Sequence, residues 1–287
     1  MEKKLAFLGP HGTFTEQAAR SFAREQPFSL VPYPNIIEIL NAVHRGQADY
    51  GVVPMENSIE GSVNMTLDWL IHEVDLPIMG ELALPITQNL LVAKRDQPLP
   101  LSAITRVLSH PQAIAQSHNF LREHLPQAAI EYTNSTALAA QMVSEHPEEP
   151  WAAVGTGLNV EIYPLEFARE QIQDFSNNFT RFVLVGREPL DMPSSDREKT
   201  TILVNLPEDF PGALYQVLAA FAWRKINLSR IESRPTKKAL GSYYFVIDIE
   251  QKMDEVLLPG AFAEIEAIGC QVRQLGTYPF YMPKTNS

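Results

Sequence analysis

Residues 3–53 set an alternation that few architectures satisfy. An apolar run of strand length at 3–8 ends at Gly9-Pro10-His11-Gly12, after which Ala18, Ala19, Phe22 and Ala23 recur at helical spacing. A second run near 29–33 passes through Pro34-Asn35 into a helical pattern over 36–44 that stops at Gly46, and 49–53 supply a third strand. This βαβαβ rhythm predicts an α/β lobe with parallel strands, and ligands of such sheets gather beyond the carboxyl ends of the strands.

Two turns sit at those ends. In the first, Thr13 with Glu16 three residues on fits a capping box, and the same geometry offers free N–H groups and a helix dipole to an anion. No Lys-Ser/Thr pair follows the glycines and the third glycine of the dinucleotide fingerprint is missing, so this is neither kind of nucleotide loop. The second turn, Pro54-Met55-Glu56-Asn57-Ser58-Ile59-Glu60-Gly61-Ser62-Val63, is dense in hydrogen-bonding side chains. By position it is a site loop; read plainly, it is a solvated connection with Ser62 capping a helix over 63–72.

The chain changes to extended apolar pieces between 77 and 93, which predicts a crossover into a second lobe. There the rhythm returns: a strand at 107–108, the turn Ser109-His110-Pro111-Gln112, a helix over 113–124, a strand at 129–132, a helix headed by Ser135 and Thr136, a strand at 151–154 and a glycine turn at 155–157. The stretch Gln173-Asp174-Phe175-Ser176-Asn177-Asn178-Phe179-Thr180-Arg181-Phe182 then leads back, setting a hydroxyl beside a guanidinium at the head of an apolar strand. Strand alternation would put Thr180 and Phe182 on one face and Arg181 on the other, where a partner such as Asp174 could hold it. Two such lobes around a cleft describe periplasmic-binding-protein-like solute receptors as well as enzymes, so architecture alone does not choose.

The net charge of −11 excludes a nucleic-acid surface, since no cluster of Lys and Arg stands out beyond Lys237-Lys238. An anionic ligand must therefore be held by local donors against the overall field. Cys270 is the one cysteine, which leaves no disulfide framework and no cysteine-based zinc site; it reads as a small core residue of a cytoplasmic protein. Met1-Glu2-Lys3-Lys4 has the charge of a secretion signal, but the apolar run after it is too short, and no segment approaches a membrane span. Residues 188–199 have linker composition. After them come a strand at 200–206, a helix opened by Pro211, strands at 226–231 and 241–249, a helix over 253–268 and a last strand at 271–277, the βαββαβ order of ferredoxin-like domains. Residues 281–287 read as a tail.

Taken together, Gly9-Pro10-His11-Gly12-Thr13-Phe14-Thr15, residues 54–61, Ser109-His110-Pro111-Gln112, Asn134-Ser135-Thr136-Ala137 and Asn178 to Phe182 resemble the prephenate dehydratase family, in the form that carries a C-terminal ACT regulatory domain. The resemblance covers almost the whole chain and implies a catalytic domain at 1–187, its lobes joined near 77–93 and 175–187, and an ACT domain at 200–280. It implies conversion of prephenate to phenylpyruvate without metal or organic cofactor, feedback by L-phenylalanine, and a homo-oligomer, dimer or tetramer. Prephenate carries two carboxylates, and its loss of carbon dioxide and ring hydroxide requires orientation, a dry site and a donor to the leaving oxygen.

The resemblance assigns the essential hydroxyl to Thr180, with Glu56 as a second proton-donor candidate if a closed cleft keeps its carboxyl protonated. Thr13, Asn57, Ser58, Ser135, Thr136, Arg181 and Phe182 are the expected substrate-binding residues; each of the polar ones in turns is equally suited to capping a helix. His11 and His110 are read as surface or capping residues, without metal-ligand spacing. In the ACT part, Pro211-Gly212-Ala213-Leu214 and Ile231-Glu232-Ser233-Arg234-Pro235 resemble the two phenylalanine-site motifs. They place amides of Gly212 and Ala213 against Glu232, Ser233 and Arg234; the plain alternative is a helix started by Pro211. Phe210 is a bulky neighbour of that pocket, and Gly155-Thr156-Gly157-Leu158-Asn159 is more glycine-rich than the family pattern. Arogenate as substrate and a non-catalytic amino-acid sensor are the competing readings.

Overall fold

A computed structural model describes residues 2–24, 27–206, 211–237 and 243–282. Phe210, Gly241 and residues 283–287, which the sequence reading touches, lie outside the described residues.

The first lobe comprises β1 (Lys3–Leu8), α1 (Phe14–Phe22), β2 (Phe28–Tyr33), α2 (Ile36–His44), β3 (Tyr50–Asn57), β4 (Gly61–Ser62), α3 (Asn64–His72) and β5 (Ile78–Pro85). The second comprises β6 (Asn89–Ala93), β7 (Arg106–Ser109), α4 (Pro111–Gln116), α5 (His118–His124), β8 (Ala129–Tyr132), α6 (Thr136–Glu145), β9 (Trp151–Gly155), α7 (Asn159–Ile162) and β10 (Leu165–Arg169). β11 (Phe179–Gly186) returns to the first lobe, between β5 and β3. The C-terminal part follows as β12 (Glu198–Asn205), α8 (Ala213–Ala222), β13 (Leu228–Pro235), β14 (Tyr243–Ile249), α9 (Leu257–Ala267) and β15 (Gln271–Tyr281). The molecule is thus two α/β lobes with a βαββαβ domain behind them.

The second lobe has its own sheet, β10-β6-β9-β7-β8. The sheet of the first lobe does not stop at its edge. Its order is β13-β14-β12-β15-β5-β11-β3-β1-β2, with β4 on β3, so the C-terminal sheet and the first lobe are one continuous surface. The seam is the parallel pairing of β15 with β5, Phe280 opposite Glu81 and Tyr281 opposite Leu82. It needs the last strand to run on to Tyr281, past the expected end at 277. It also needs Gly276, because a Cβ there would stand 2.1 Å from the Ile78 carbonyl oxygen. Leu203, Val246, Leu275 and Tyr278 of the C-terminal sheet share one buried cluster with Leu67, Leu70, Val74 and Ile78 of the first lobe.

Local chemistry accounts for the other departures from expectation. The helix expected over 113–124 is broken at Ser117 into α4 and α5. α9 starts later than 253 because the Asp254 carboxylate accepts the N–H groups of Val256 at 2.7 Å, Leu257 at 2.5 Å and Leu258 at 3.3 Å. Pro211 precedes the N-cap, which is Gly212 in the left-handed region at φ 92°, so it is not the first helical residue. The strand expected at 226–231 starts two residues later and ends four residues later, so that it contains the whole Ile231–Pro235 motif. Ser62 does not cap α3, whose N-cap Val63 has no side-chain bond. β10 carries too weak an alternation to be read in advance.

Candidate active site

A cleft of about 470 Å³ lies between the lobes. Leu8 at the end of β1, Thr13 to Thr15 at the start of α1, Pro54, Asn57 and Glu60 to Val63 line it from the first lobe, with Thr180 and Phe182 of β11. The second lobe contributes Gln88, His110, Gln112, Gln116 and Asn134 to Thr136. Beside it the Gly12 carbonyl accepts from Thr156 Oγ1 at 3.1 Å and Asn159 Nδ2 at 3.2 Å, which ties the lobes together. Gly12 has φ 93°, and a Cβ would stand 2.1 Å from Asn159 Oδ1. The glycine-rich segment at 155–159 is therefore the counterpart of the first glycine turn.

β11 and β3 set the geometry. Thr180 is opposite Asn57 and Arg181 opposite Glu56; a bulge then brings Phe182 opposite Pro54. Thr180 and Phe182 face the cleft. Asn57 Nδ2 donates to Thr180 Oγ1 at 2.9 Å and to Asn178 Oδ1 at 2.8 Å, while its Oδ1 accepts from the amides of Ile59 and Glu60. Both amide protons of Asn57 are therefore committed, and it holds the Thr180 hydroxyl rather than offering a donor to a ligand. Thr180 donates to no acceptor among the described residues, so its proton is free for a ligand, and the bond it accepts polarises it as a donor.

Of the other expected residues, Thr13 lines the cleft with its hydroxyl already used, donating to the Leu8 carbonyl at 2.7 Å and accepting from Glu16 N–H at 3.2 Å. Ser135 accepts from Leu138 N–H at 3.0 Å as the N-cap of α6, and Thr136 begins that helix. His110 caps α4, accepting from Gln112 N–H at 3.3 Å, and half-exposed His11 stands 3.3 Å from Glu16. Among the described residues no Arg or Lys lines the cleft, and the titratable side chains lining it are Glu60 and His110. Residues at the starts of α1 and α6, Thr13 to Thr15 and Ser135 to Thr136, line it with neutral polar groups instead.

Three expected site residues lie outside. Strand alternation turns Arg181 to the opposite face, where its Nε and Nη2 fork onto Glu81 at 2.8 and 2.6 Å, Nη2 also reaches Asp248 of β14 at 2.7 Å, and Nη1 meets Glu56 at 2.6 Å. Its partners are these three carboxylates and not Asp174, which accepts from Asn119 N–H. Glu56 is thus ion-paired behind the cleft and is not available as its acid. Ser58 is exposed and joins the loop to β11, accepting from Phe179 N–H at 2.9 Å and donating to the Asn177 carbonyl. Burial works against charge on Arg181, but Asp248 and Glu81 outweigh it and hold the guanidinium above its ordinary range. Burial likewise pushes Asp248 up, and Arg181 and Arg230 overcome it, leaving the carboxyl below its ordinary value. Lys199 Nζ, 2.8 Å from Glu81, and Tyr278, whose phenol burial raises well above its usual range, complete the cluster.

Gln88 and Gln116 join the cleft without having been expected there. Both are buried in the cleft wall; Gln88 Nε2 donates to Gln116 Oε1 at 3.1 Å, which leaves Gln88 Oε1 and Gln116 Nε2 without a partner. Gln116 follows Gln112 by one helical turn, a spacing that was legible; Gln88 stands alone in an apolar stretch and had no signal. Among the described residues no group of His, Cys, Asp or Glu is gathered to hold a metal ion.

A second hollow of about 420 Å³ in the C-terminal domain is lined by Leu206, Pro211, Gly212, Ala213, Leu214, Tyr215 and Phe245. Glu232, Ser233 and Arg234 are not part of it. The alternation of β13 sends Arg230, Glu232 and Arg234 toward the first lobe, and Ser233 is exposed on the other face.

Residues 5–190 match the family model described as prephenate dehydratase, and residues 200–259 match that of the ACT domain. The prephenate dehydratase of Bacillus subtilis (strain 168) is 45% identical over 284 residues, covering 97% of this chain and 99% of the relative. The structure of prephenate dehydratase from Arthrobacter aurescens in complex with L-Phe aligns with a TM-score of 0.84 at 38% identity, covering 96% of this chain and 90% of that one. The structure of GqqA, described as a novel type of quorum quenching acylase, aligns at 0.83 with 29% identity, over 97% and 98% of the two chains.

Proposed function

The chain belongs to the prephenate dehydratase family, in the form with a C-terminal ACT domain, and from that premise we propose that Thr180 donates the hydrogen bond that lets the ring hydroxyl of prephenate leave. The enzyme is a carbon–oxygen lyase of phenylalanine biosynthesis. Fold alone would not select this reaction, since GqqA has a similar one; the 45% identity to a dehydratase across the chain does.

In the reaction the bond from the ring to its carboxylate breaks, the electron pair enters the ring, and hydroxide departs from the opposite carbon as the ring becomes aromatic. Phenylpyruvate, carbon dioxide and, once the hydroxide is protonated, water are the products. The observation that carries the assignment is the Thr180 hydroxyl, held by Asn57 with its own proton uncommitted. A neutral hydroxyl is a poor acid but a good donor to developing negative charge, and one such donor lowers the barrier by roughly 3–4 kcal/mol. The departing carboxylate loses its charge as carbon dioxide forms, so a wall without Arg or Lys favours its loss. The pyruvyl carboxylate is held by neutral donors, the hydroxyls of Ser135 and Thr136 and the backbone amides at the starts of α6 and α1. Phe182 packs against the ring.

We divide the chain into a catalytic domain at 1–187, a linker at 188–199 and an ACT domain at 200–280, and place it in the cytoplasm. No described helix is long and apolar enough to cross a membrane. The hollow at Pro211 to Tyr215 is the effector site for L-phenylalanine, as the L-Phe complex of the Arthrobacter aurescens enzyme suggests, and a second copy of the domain completes it, making the protein at least a dimer. Purified protein given prephenate at neutral pH should form phenylpyruvate, with prephenate preferred over arogenate in competition. Formation of none rejects the reading.

A further inference from the structure

We propose that Arg230 and Glu232 of the ACT strand β13 are positioning residues of the catalytic cleft, clamping its wall through the hydroxyl of Ser62. Ser62 Oγ donates to Glu232 Oε2 at 2.5 Å and accepts from Arg230 Nη2 at 2.8 Å, and Arg230 and Glu232 are themselves paired. One turn of chain thereby has two faces: Glu60, Gly61, Ser62 and Val63 line the cleft, and the Ser62 hydroxyl is committed behind it to the second domain. Nothing in α3 competes for that hydroxyl, because its N-terminus has no side-chain cap.

The same turn is fixed at its other end by Asn57, whose Oδ1 accepts from the amides of Ile59 and Glu60 and whose Nδ2 holds Thr180. The clamp therefore sets the wall that faces the reacting hydroxyl. Arg234 extends it along α3, donating to Asp68 at 2.6 and 3.0 Å and to Asn64 at 2.6 Å. Glu232 and Arg234 face away from the hollow at Pro211 to Tyr215, so the geometry assigns this half of the second motif to the cleft rather than to the ligand. The regulatory part of the inference rests on the reading of that hollow as the L-phenylalanine site: occupancy that shifts β13 reaches the cleft wall through Ser62.

The test compares full-length Glu232→Ala, Ser62→Ala, their double variant and Glu232→Gln, with prephenate kinetics, L-phenylalanine calorimetry and urea unfolding. A charge-assisted hydrogen bond of this kind predicts a KM raised about tenfold or more in either alanine variant, with kcat changed less. The double variant should be no worse than either single, and Glu232→Gln, which keeps an acceptor for Ser62, should recover most of the KM. Glu232→Ala should still bind L-phenylalanine while losing inhibition by it. An unchanged KM, additive single effects, or loss of L-phenylalanine binding in Glu232→Ala overturns the clamp. If the wild type forms no phenylpyruvate the reaction assignment fails instead, and the clamp is then judged by whether Ser62 and Glu232 are coupled in urea unfolding. If the wild type does not bind L-phenylalanine, only the regulatory clause falls, and the KM arm decides the rest.

Discussion

Replacing Arg181 by Met keeps most of the stem and removes the charge that holds three carboxylates behind the cleft. Glu81 and Asp248 are almost completely buried. Glu81 retains Lys199 at 2.8 Å, whereas Asp248 keeps the Thr201 hydroxyl, which donates to it at 2.7 Å, and only the more distant charge of Arg230, so Asp248 becomes the more stranded of the two. Removing one partner from a buried pair costs about 3–5 kcal/mol, and the surviving bonds point to the lower end, about 3 kcal/mol. Urea is the denaturant of choice, because guanidinium would screen the charges under test. The loss should depend on pH. Asp248 has a folded pKa below its ordinary 3.8, so its contribution to the wild type is present above that value and disappears as pH falls through the folded pKa. The difference between wild type and variant should therefore be full near pH 7 and shrink as pH falls below 3.8 through the folded pKa. A loss under about 1 kcal/mol at pH 7, the size of a surface pair, or one that is flat with pH, refutes the argument.

Thr180→Ala should lower kcat about 10²- to 10³-fold with the fold intact, and Thr180→Ser should restore a large part; equal loss in both would shift the role from hydroxyl to methyl packing. Glu56→Gln should keep kcat within about threefold in the phenylpyruvate assay, because Glu56 lies behind the cleft; a thousandfold drop would reinstate it as the acid. Gly276→Ala drives a methyl toward the Ile78 carbonyl and should part β15 from β5, seen as faster amide exchange in both strands. Unchanged exchange would show that the seam can yield without opening.

The sequence by itself determined the two α/β lobes and the βαββαβ domain, because strand and helix periods are local and their turns carry Gly, Pro and capping residues in legible places. It also determined that Thr180 and Arg181 point to opposite faces, since alternation follows from the pleat. Capping was readable at Thr13, Ser135 and His110 for the same local reason. Which face of β11 is the cleft was not readable. That depended on pairing across more than a hundred residues, Thr180 against Asn57 and Arg181 against Glu56, so that one register sends the hydroxyl and its holder forward and the two charges back together. Nor could local pattern reveal that the back face is not solvent. Only the union of β15 with β5 brings Asp248 to Arg181 and β13 to Ser62, and this is a contact between distant strands whose edges carry no mark of their partner. Burial then decides the chemistry: the same carboxyl that would be a candidate acid in a cleft is, behind it, one member of a charge cluster joining two domains.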